Sequence, residues 1–130
     1  MELLFVRAGH PSPLLLRQGN VSELYSTGSF PIGLVEMATF KSIRIQLEPG
    51  DTLLMFTDGL TEAENKEREF FEDARLIEAF GRQQDLPLDD VQNGILSAVG
   101  KFTEGASQSD DITLLVVRYR GSAEDESRNV

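Results

Sequence analysis

The sequence predicts a single α+β domain, because short strand-like apolar runs and two helix-like amphipathic segments occur within one chain of 130 residues. A hydrophobic fraction of 40% and a charged fraction of 26% are typical of a globular domain rather than a disordered or fibrous chain. We place this domain at residues 1–120. We expect residues 121–130, which are mostly polar, to form a disordered tail.

The N-terminal part carries strand patterns separated by turns. The apolar runs 3–6 and 14–16 flank a segment rich in Gly and Pro, which predicts a β-hairpin. The polar stretch 17–23 indicates a further turn, and the glycines and proline of 27–38 indicate a loop. Alternating apolar residues from Ile43 to Leu47 predict a half-buried strand.

Two later runs are the strongest strand candidates. Residues 52–57 are apolar on both faces and end at Asp58, which predicts a central strand, and residues 112–117 predict a second one. The charged stretch between them predicts a solvated loop. Two helices are expected after it, one at 74–80 with Gly81 as its C-cap and one at 88–102 after Pro87.

The charge balance argues against two classes of partner. Twelve basic and 22 acidic residues leave a formal charge of −10, which disfavours nucleic acid and anionic membranes. The N-terminus has no signal-peptide pattern, and no apolar run approaches the length of a membrane span. We therefore expect a cytoplasmic protein. The absence of cysteine excludes disulfides, thiolate nucleophiles and Cys-type zinc sites.

Carboxylates stand at the ends of the two strongest strands. Asp58 follows the strand at 52–57, and Asp110 and Asp111 precede the strand at 112–117. If these strands are antiparallel neighbours, the carboxylates meet at one rim of a sheet. Such a pair suits a hard cation such as Mg²⁺ or Mn²⁺. Aspartate is also a common turn and capping residue, so the spacing leaves both interpretations open.

The other candidate residues are less informative. His10 is the single histidine and lies in a Gly/Pro turn, where a structural role is the simpler interpretation. Without cysteine and without a Ser-His-Asp context, covalent catalysis has little support. Arg17, Arg44 and Arg82 are candidates for phosphate contacts, and each is equally well explained as a solvated surface charge.

Four motifs in order carry a family resemblance: AGHPSPLLL at 8–16, PIGL at 31–34, LEPGDTLLMFTDGLTEA at 47–63 and SDDITLLVV at 109–117. Together they resemble the sporulation stage II protein E-like branch of the metal-dependent protein phosphatase 2C family. The resemblance implies two stacked antiparallel sheets flanked by helices and a binuclear Mn²⁺ or Mg²⁺ centre. It also implies hydrolysis of phosphoserine or phosphothreonine on a protein, such as an anti-sigma-factor antagonist.

Carried over residue by residue, the resemblance assigns metal ligation to Asp58 and Asp110. Asp111, Gly59 and His10 would be neighbours of the metal site, as ligands or in its surroundings. No protein side chain is expected as nucleophile, because a metal-activated water takes that role in this chemistry. The segment 62–71 corresponds to a variable flap in related phosphatases, and we expect it to contribute to substrate choice.

The chain also departs from the family pattern. The family's domain begins upstream of the motif at 8–16, and the preceding half carries a further metal-bridging aspartate. We therefore expect this polypeptide to be inactive or weak in isolation, to self-associate through uncovered apolar surface, and to belong with an upstream sensor or receiver domain. The alternatives are a catalytically inactive phosphatase-like module that binds proteins, or an unrelated β-rich domain.

Overall fold

The computed structural model describes residues 1–25, 30–108 and 110–122. Its helices and strands follow one another as β1 (Glu2–Val6), β2 (Leu14–Arg17), β3 (Asn20–Glu23), β4 (Ser42–Gln46), β5 (Thr52–Phe56), α1 (Asp58–Thr61), α2 (Glu72–Gly81), α3 (Leu88–Phe102) and β6 (Leu114–Arg118). Among these helices, none is long and apolar enough to cross a membrane. The expected tail falls largely on residues 123–130, and part of the expected loop falls on residues 27–29; both lie outside the described residues.

The strands form two antiparallel sheets. The larger sheet has the order β3-β2-β5-β6, and the smaller one consists of β1 and β4. The smaller sheet packs on one face of the larger sheet, and α2 and α3 pack on its other face. This layering confirms the predicted antiparallel sandwich flanked by helices.

The predicted hairpin between the first two strands is wrong. β1 pairs with β4 in the smaller sheet, whereas β2 pairs with β3 and β5 in the larger one. The burial patterns explain the separation. Leu14, Leu15 and Leu16 are all buried, which requires a strand covered on both faces, whereas β1 alternates between half-buried and exposed residues and suits a sheet covered on one face.

Sequence reasoning missed β3. The polar stretch 17–23 folds as a hairpin in which Leu16 faces Val21 and Arg17 faces Asn20. Both turn residues have left-handed backbones, with φ of 49° at Gln18 and 79° at Gly19. A two-residue turn of this kind matches the right-handed twist of the paired strands. The turn was therefore predicted correctly, but the pairing of the two strands that it connects was not predicted.

Both long helices were predicted, and α3 has the predicted bounds. Its buried residues Val91, Ile95 and Val99 recur at the spacing that identified the helix. Helix α2 begins two residues earlier than predicted and buries Leu76 and Phe80. Gly81 is its last helical residue rather than the residue beyond its end, so the predicted C-cap is wrong by one position.

Strand β5 lies between two apolar cores. Leu54 and Phe56 face the helices, whereas Leu53 joins Leu15 and Leu47 in the core between the sheets. The predicted central position of β5 is confirmed. The same prediction for the last strand is wrong, because β6 lies at an edge of the larger sheet as the structure describes it. The smaller sheet does not cover this edge, and Leu115 is 56% exposed.

An ion pair links the two sheets at the turn before β5. Arg17 of β2 donates two hydrogen bonds to the Asp51 carboxylate, at 2.8 and 2.5 Å, and a third to the carbonyl of Gln46 in β4. The Glu48 amide donates to the same carboxylate, and Asp51 is 2% exposed. Burial by itself raises the pKa of Asp51. The hydrogen bonds from Arg17 and Glu48, with the positive charge of Arg17, outweigh that effect and lower the pKa below its ordinary value of 3.8.

Because the folded state lowers the pKa of Asp51, this group stabilises the fold above the ordinary value, and the contribution is lost as the pH falls through the lowered pKa. At pH 7 we expect Asp51→Asn to reduce the free energy of unfolding by about 1–3 kcal/mol. Urea unfolding between pH 7 and pH 2.5 should show a smaller acid-induced loss of stability in Asp51→Asn than in the native chain. Glu104→Gln, at an exposed position, is the control; equal pH dependence in all three proteins would contradict the assignment.

Candidate functional site

Pairing of β5 with β6 brings the two aspartate motifs to one rim of the larger sheet. Phe56 faces Leu114 at the end of the ladder. Beyond that pair, the Thr57 amide donates to the Thr113 carbonyl at 3.0 Å, and the Thr113 amide donates to the Thr57 hydroxyl oxygen at 3.1 Å. Asp58 follows Thr57 at the end of β5, and Asp110 and Asp111 lie in the segment before β6.

Gly59 allows the two segments to approach closely. A Cβ atom placed on Gly59 would lie 2.2 Å from the Asp111 carbonyl oxygen and 3.6 Å from the Asp110 Cβ. The first distance is far inside van der Waals contact with a backbone atom. Only glycine therefore permits the turn at Asp58 to lie against the Asp110–Asp111 segment.

The backbone around the aspartates is fixed, whereas their side chains face solvent. The Asp58 carbonyl accepts hydrogen bonds from the Glu62 amide and the Thr61 hydroxyl. Asp110 Oδ1 accepts the Asp111 amide at 2.7 Å. Asp58, Asp110 and Asp111 are all exposed, and none of the ion pairs in the described part of the chain includes them.

The donor set matches a hard divalent cation in type but does not complete its shell. Carboxylate oxygens are the preferred ligands of Mg²⁺ and Mn²⁺. Across residues 1–25, 30–108 and 110–122, however, no three or more His, Asp or Glu side chains converge in a metal-binding arrangement. Asp58 and Asp110 therefore fit as two ligands. Water or a further protein segment would have to supply the rest.

His10 does not join this group. It lies exposed on the connection between β1 and β2, and its carbonyl accepts a hydrogen bond from Arg7 at 3.2 Å. Together with Phe5 and Val117 it borders an apolar cavity of about 350 Å³ between the two sheets. His10 therefore lies at the edge of the cavity between the two sheets.

The three candidate arginines are engaged elsewhere. Arg17 binds the buried Asp51, Arg44 pairs with Glu2 across the smaller sheet, and Arg82 pairs with Glu78 one helical turn earlier. The last two pairs are exposed. All three arginines therefore have intramolecular partners, which favours structural roles over phosphate binding.

The segment after the Asp58 turn is more ordered than a solvated loop. Residues 63–71 form a small hairpin, in which Glu64 bridges Phe70 and the Phe71 amide donates to the Ala63 carbonyl. Asn65 closes its tip by accepting the Glu69 amide and donating to the Glu69 carboxylate. We call residues 62–71 the flap. The sequence signal for this hairpin is the spacing of Asn65 and Glu69, whose side chains can hydrogen-bond across a tight turn. The charged composition of the segment predicted only a solvated loop.

A cavity of about 250 Å³ adjoins the aspartate rim. Its wall is shared by the start of the flap, the C-terminal half of α3, the turn at 103–108 and the start of the last strand segment; contributing residues include Gly59, Glu64, Gly100, Ala106, Asp110 and Ile112. Sequence reasoning missed this cavity because its wall comes from segments that are distant along the chain.

Comparison with known proteins identifies relatives of this arrangement. The family model of stage II sporulation protein E (SpoIIE) matches residues 1–120. Protein IcfG of Synechocystis is 32% identical over 124 residues, which cover 92% of this chain and 18% of that protein. The SiaA-PP2C domain of Pseudomonas aeruginosa superimposes with a TM-score of 0.76 at 26% identity, covering 91% of this chain and 46% of that one.

Two further solved structures share the fold. The RsbU and RsbW domains of a Mycobacterium tuberculosis protein give a TM-score of 0.75 at 27% identity, over 93% of this chain and 33% of that one. The Mn-presoaked phosphatase domain of SpoIIE from Bacillus subtilis gives 0.72 at 20% identity, over 94% of this chain and 52% of that one. The chain therefore spans about half or less of each of these relatives.

The close contact at Gly59 predicts the effect of a single methyl group. Gly59→Ala should destabilise the fold by about 1–3 kcal/mol, because the Asp111 backbone must move to admit the Cβ atom. The same movement should weaken Mn²⁺ binding about ten-fold or more, measured by calorimetry. Gly100→Ala is the matched control, since its Cβ atom would meet nothing within 4 Å. Native-like stability and Mn²⁺ affinity in Gly59→Ala would contradict a tight contact between the two segments.

Proposed function

We propose that this chain forms part of a metal-dependent phosphatase acting on phosphoserine or phosphothreonine in proteins. The proposal rests on its family, because the chain belongs to the stage II sporulation protein E (SpoIIE) family. Its fold is that of PP2C phosphatase domains. The observation that carries the proposal is the rim at which the turn after β5 lies against the segment before β6. Asp58 begins α1 just after β5, and the segment with Asp110 that leads into β6 lies against Gly59, which supports a shared site for the two carboxylates.

In the proposed site, Asp58 and Asp110 supply two carboxylate ligands to Mn²⁺ or Mg²⁺. When bound, such a cation makes water a better nucleophile and offsets the charge of phosphoryl oxygens. Asp111 shapes the entrance to β6 through its carbonyl, and Gly59 admits that carbonyl at close range. The protein contributes position and charge, and no side chain acts as a covalent nucleophile.

The substrate we propose is a regulatory phosphoprotein, such as an anti-sigma-factor antagonist. Support comes from the family and from the RsbU and RsbW domains among the related structures. The relatives are also much longer than this chain, which supports action within a larger protein that includes a sensor or receiver domain. The charge of −10 argues against nucleic acid and anionic membranes as partners, and we expect the protein to act in the cytoplasm.

A second candidate function is a catalytically inactive phosphatase-like module that binds proteins. The observation that favours it is the absence, among the described residues, of a converging group of three or more metal-ligating side chains. Metal binding distinguishes the two candidates, because the inactive module has no need of a cation at Asp58 and Asp110.

The first test is Mn²⁺ titration calorimetry with parallel hydrolysis of p-nitrophenyl phosphate. If Asp58 and Asp110 hold the cation, Asp58→Asn and Asp110→Asn should each weaken Mn²⁺ binding about ten-fold or more, because each removes one charged ligand. Asp90→Asn, on the exposed side of α3, is the control for lost charge. Hydrolysis should be weak in the native chain and lower in both variants. Mn²⁺ binding that is unchanged in both variants would refute the assigned site.

We also propose that this chain self-associates through its uncovered sheet edge. Leu115 and Val117 of β6 are 56% and 43% exposed, and β6 has a free edge in the described structure. Apolar residues on an open strand edge favour pairing with a second copy.

Light scattering at micromolar concentration should give the mass of a dimer or a larger oligomer. Leu115→Lys should shift the population towards monomer, because it places a charge on the exposed edge strand. Gln92→Lys adds the same charge at an exposed position of α3 and should leave the mass unchanged. A monomeric native chain would contradict self-association.

A further inference from the structure

A cavity adjoins the aspartate rim, and most of its lining residues have no role in the proposed metal site. It lies between the flap and the C-terminal half of α3, and it shares Gly59 and Asp110 with the rim. A group bound in the cavity therefore lies next to the place where a phosphoryl group would be held. Its volume of about 250 Å³ is below the range of about 300–1,000 Å³ that is usual for small-molecule sites. One amino-acid side chain is an occupant of suitable size.

Apolar and small residues line the cavity together with two acidic residues and the polar residues Thr103, Ser107 and Gln108. Val99, Ala106 and Ile112 contribute methyl groups, whereas Glu64 and Asp110 contribute carboxylates. Glu64 is half-buried, and no ion pair in the described structure includes it. An acidic side chain would be repelled here, and an apolar one would leave the Glu64 carboxylate without a partner.

A lysine or arginine side chain satisfies both parts of the cavity. Its aliphatic stem contacts the apolar part of the lining, and its charged head pairs with the Glu64 carboxylate. The flap is held in place for such a role, because the Lys66 side chain lies over Gly105 in the turn at 103–108. The flap therefore contacts the turn that follows α3, and this turn also contributes to the cavity lining.

We propose that this cavity binds a basic side chain of the phosphoprotein substrate, near the phosphorylated residue in space, and that Glu64 is the specificity-determining contact. The inference rests on the proposed phosphatase function and names the chemistry by which the substrate is selected. It gives the flap a defined part in substrate choice, through its half-buried carboxylate rather than through its exposed charges.

The test uses seven-residue peptides with a central phosphoserine, alanine elsewhere, and one lysine placed at each flanking position in turn. Each is compared with the same peptide carrying norleucine, which keeps the stem and removes the charge. Binding to the chain is measured by NMR titration with Mg²⁺ present, following the amides of Gly100 and Ala106. At the best position, lysine should bind at least about five-fold more tightly than norleucine.

Two variants test the assignment in different ways. Glu64→Gln removes the negative charge at this lining position, and Gly100→Leu adds a side chain to the cavity at a helix position where a Cβ atom meets nothing within 4 Å. Each should abolish the preference for lysine. Glu67→Gln makes the same charge change on the exposed part of the flap and should keep the preference. Circular dichroism melts establish that all three variants are folded.

The outcomes separate this inference from the proposed function. No preference for lysine at any position, or a preference that survives in either Glu64→Gln or Gly100→Leu, would overturn the cavity assignment. A lysine preference that depends on Glu64 but is the same for serine and phosphoserine peptides would support the cavity assignment while counting against the phosphatase function. A preference that depends on both Glu64 and the phosphate supports both.

Discussion

The antiparallel pairing of β5 with β6 is the interaction on which the candidate site depends. It joins positions 58 and 110, which are 52 residues apart, and it fixes their relative height at the sheet rim. A slip of one residue in this register would turn Leu54 and Phe56 away from the helices. The apolar core therefore enforces the register, and the register places the aspartates. The hydrogen bonds between Thr57 and Thr113 carry the same alignment one step beyond the ladder.

Strand β5 is a rigid platform because it is packed on both faces. Helices cover one face, and the smaller sheet covers the other near Leu53. The Arg17–Asp51 ion pair holds the turn before β5, and the short helix α1 follows the strand directly. The strand is thus anchored at its start, and Asp58 begins the helix that follows its end. Fixed strand ends with exposed carboxylates are suited to holding an ion, since little motion of the backbone is needed.

Elements whose apolar pattern reflects local geometry could be predicted from the sequence. The α3 helix is one example, because its buried residues recur at the helical period, and the central strand β5 is another, because its run is apolar on both faces. It was harder to predict from the sequence which strands pair with one another. The assignment of β1 and β2 to different sheets depends on which faces are covered, and the edge position of β6 depends on which strands pair with it, since β5 is its one partner among the described strands. The proximity of the two aspartate motifs was predictable because both strands were strongly apolar, whereas the cavity was not, because its wall combines distant segments.

The acidic character of this surface bears on how a phosphoprotein would approach it. A chain with a charge of −10 repels a phosphate group unless positive charge is brought to the site. A cation at Asp58 and Asp110 would supply that charge on one side of Gly59, and a basic side chain at Glu64 would supply it on the other. Each of these positive charges reduces the repulsion between the protein and the phosphate. Because Asp110 borders both the proposed metal site and the cavity, the cation and the basic side chain compete for its carboxylate. A basic group bound too close to Asp110 would weaken the metal site, so Glu64, at the flap base, is the better-placed partner for it.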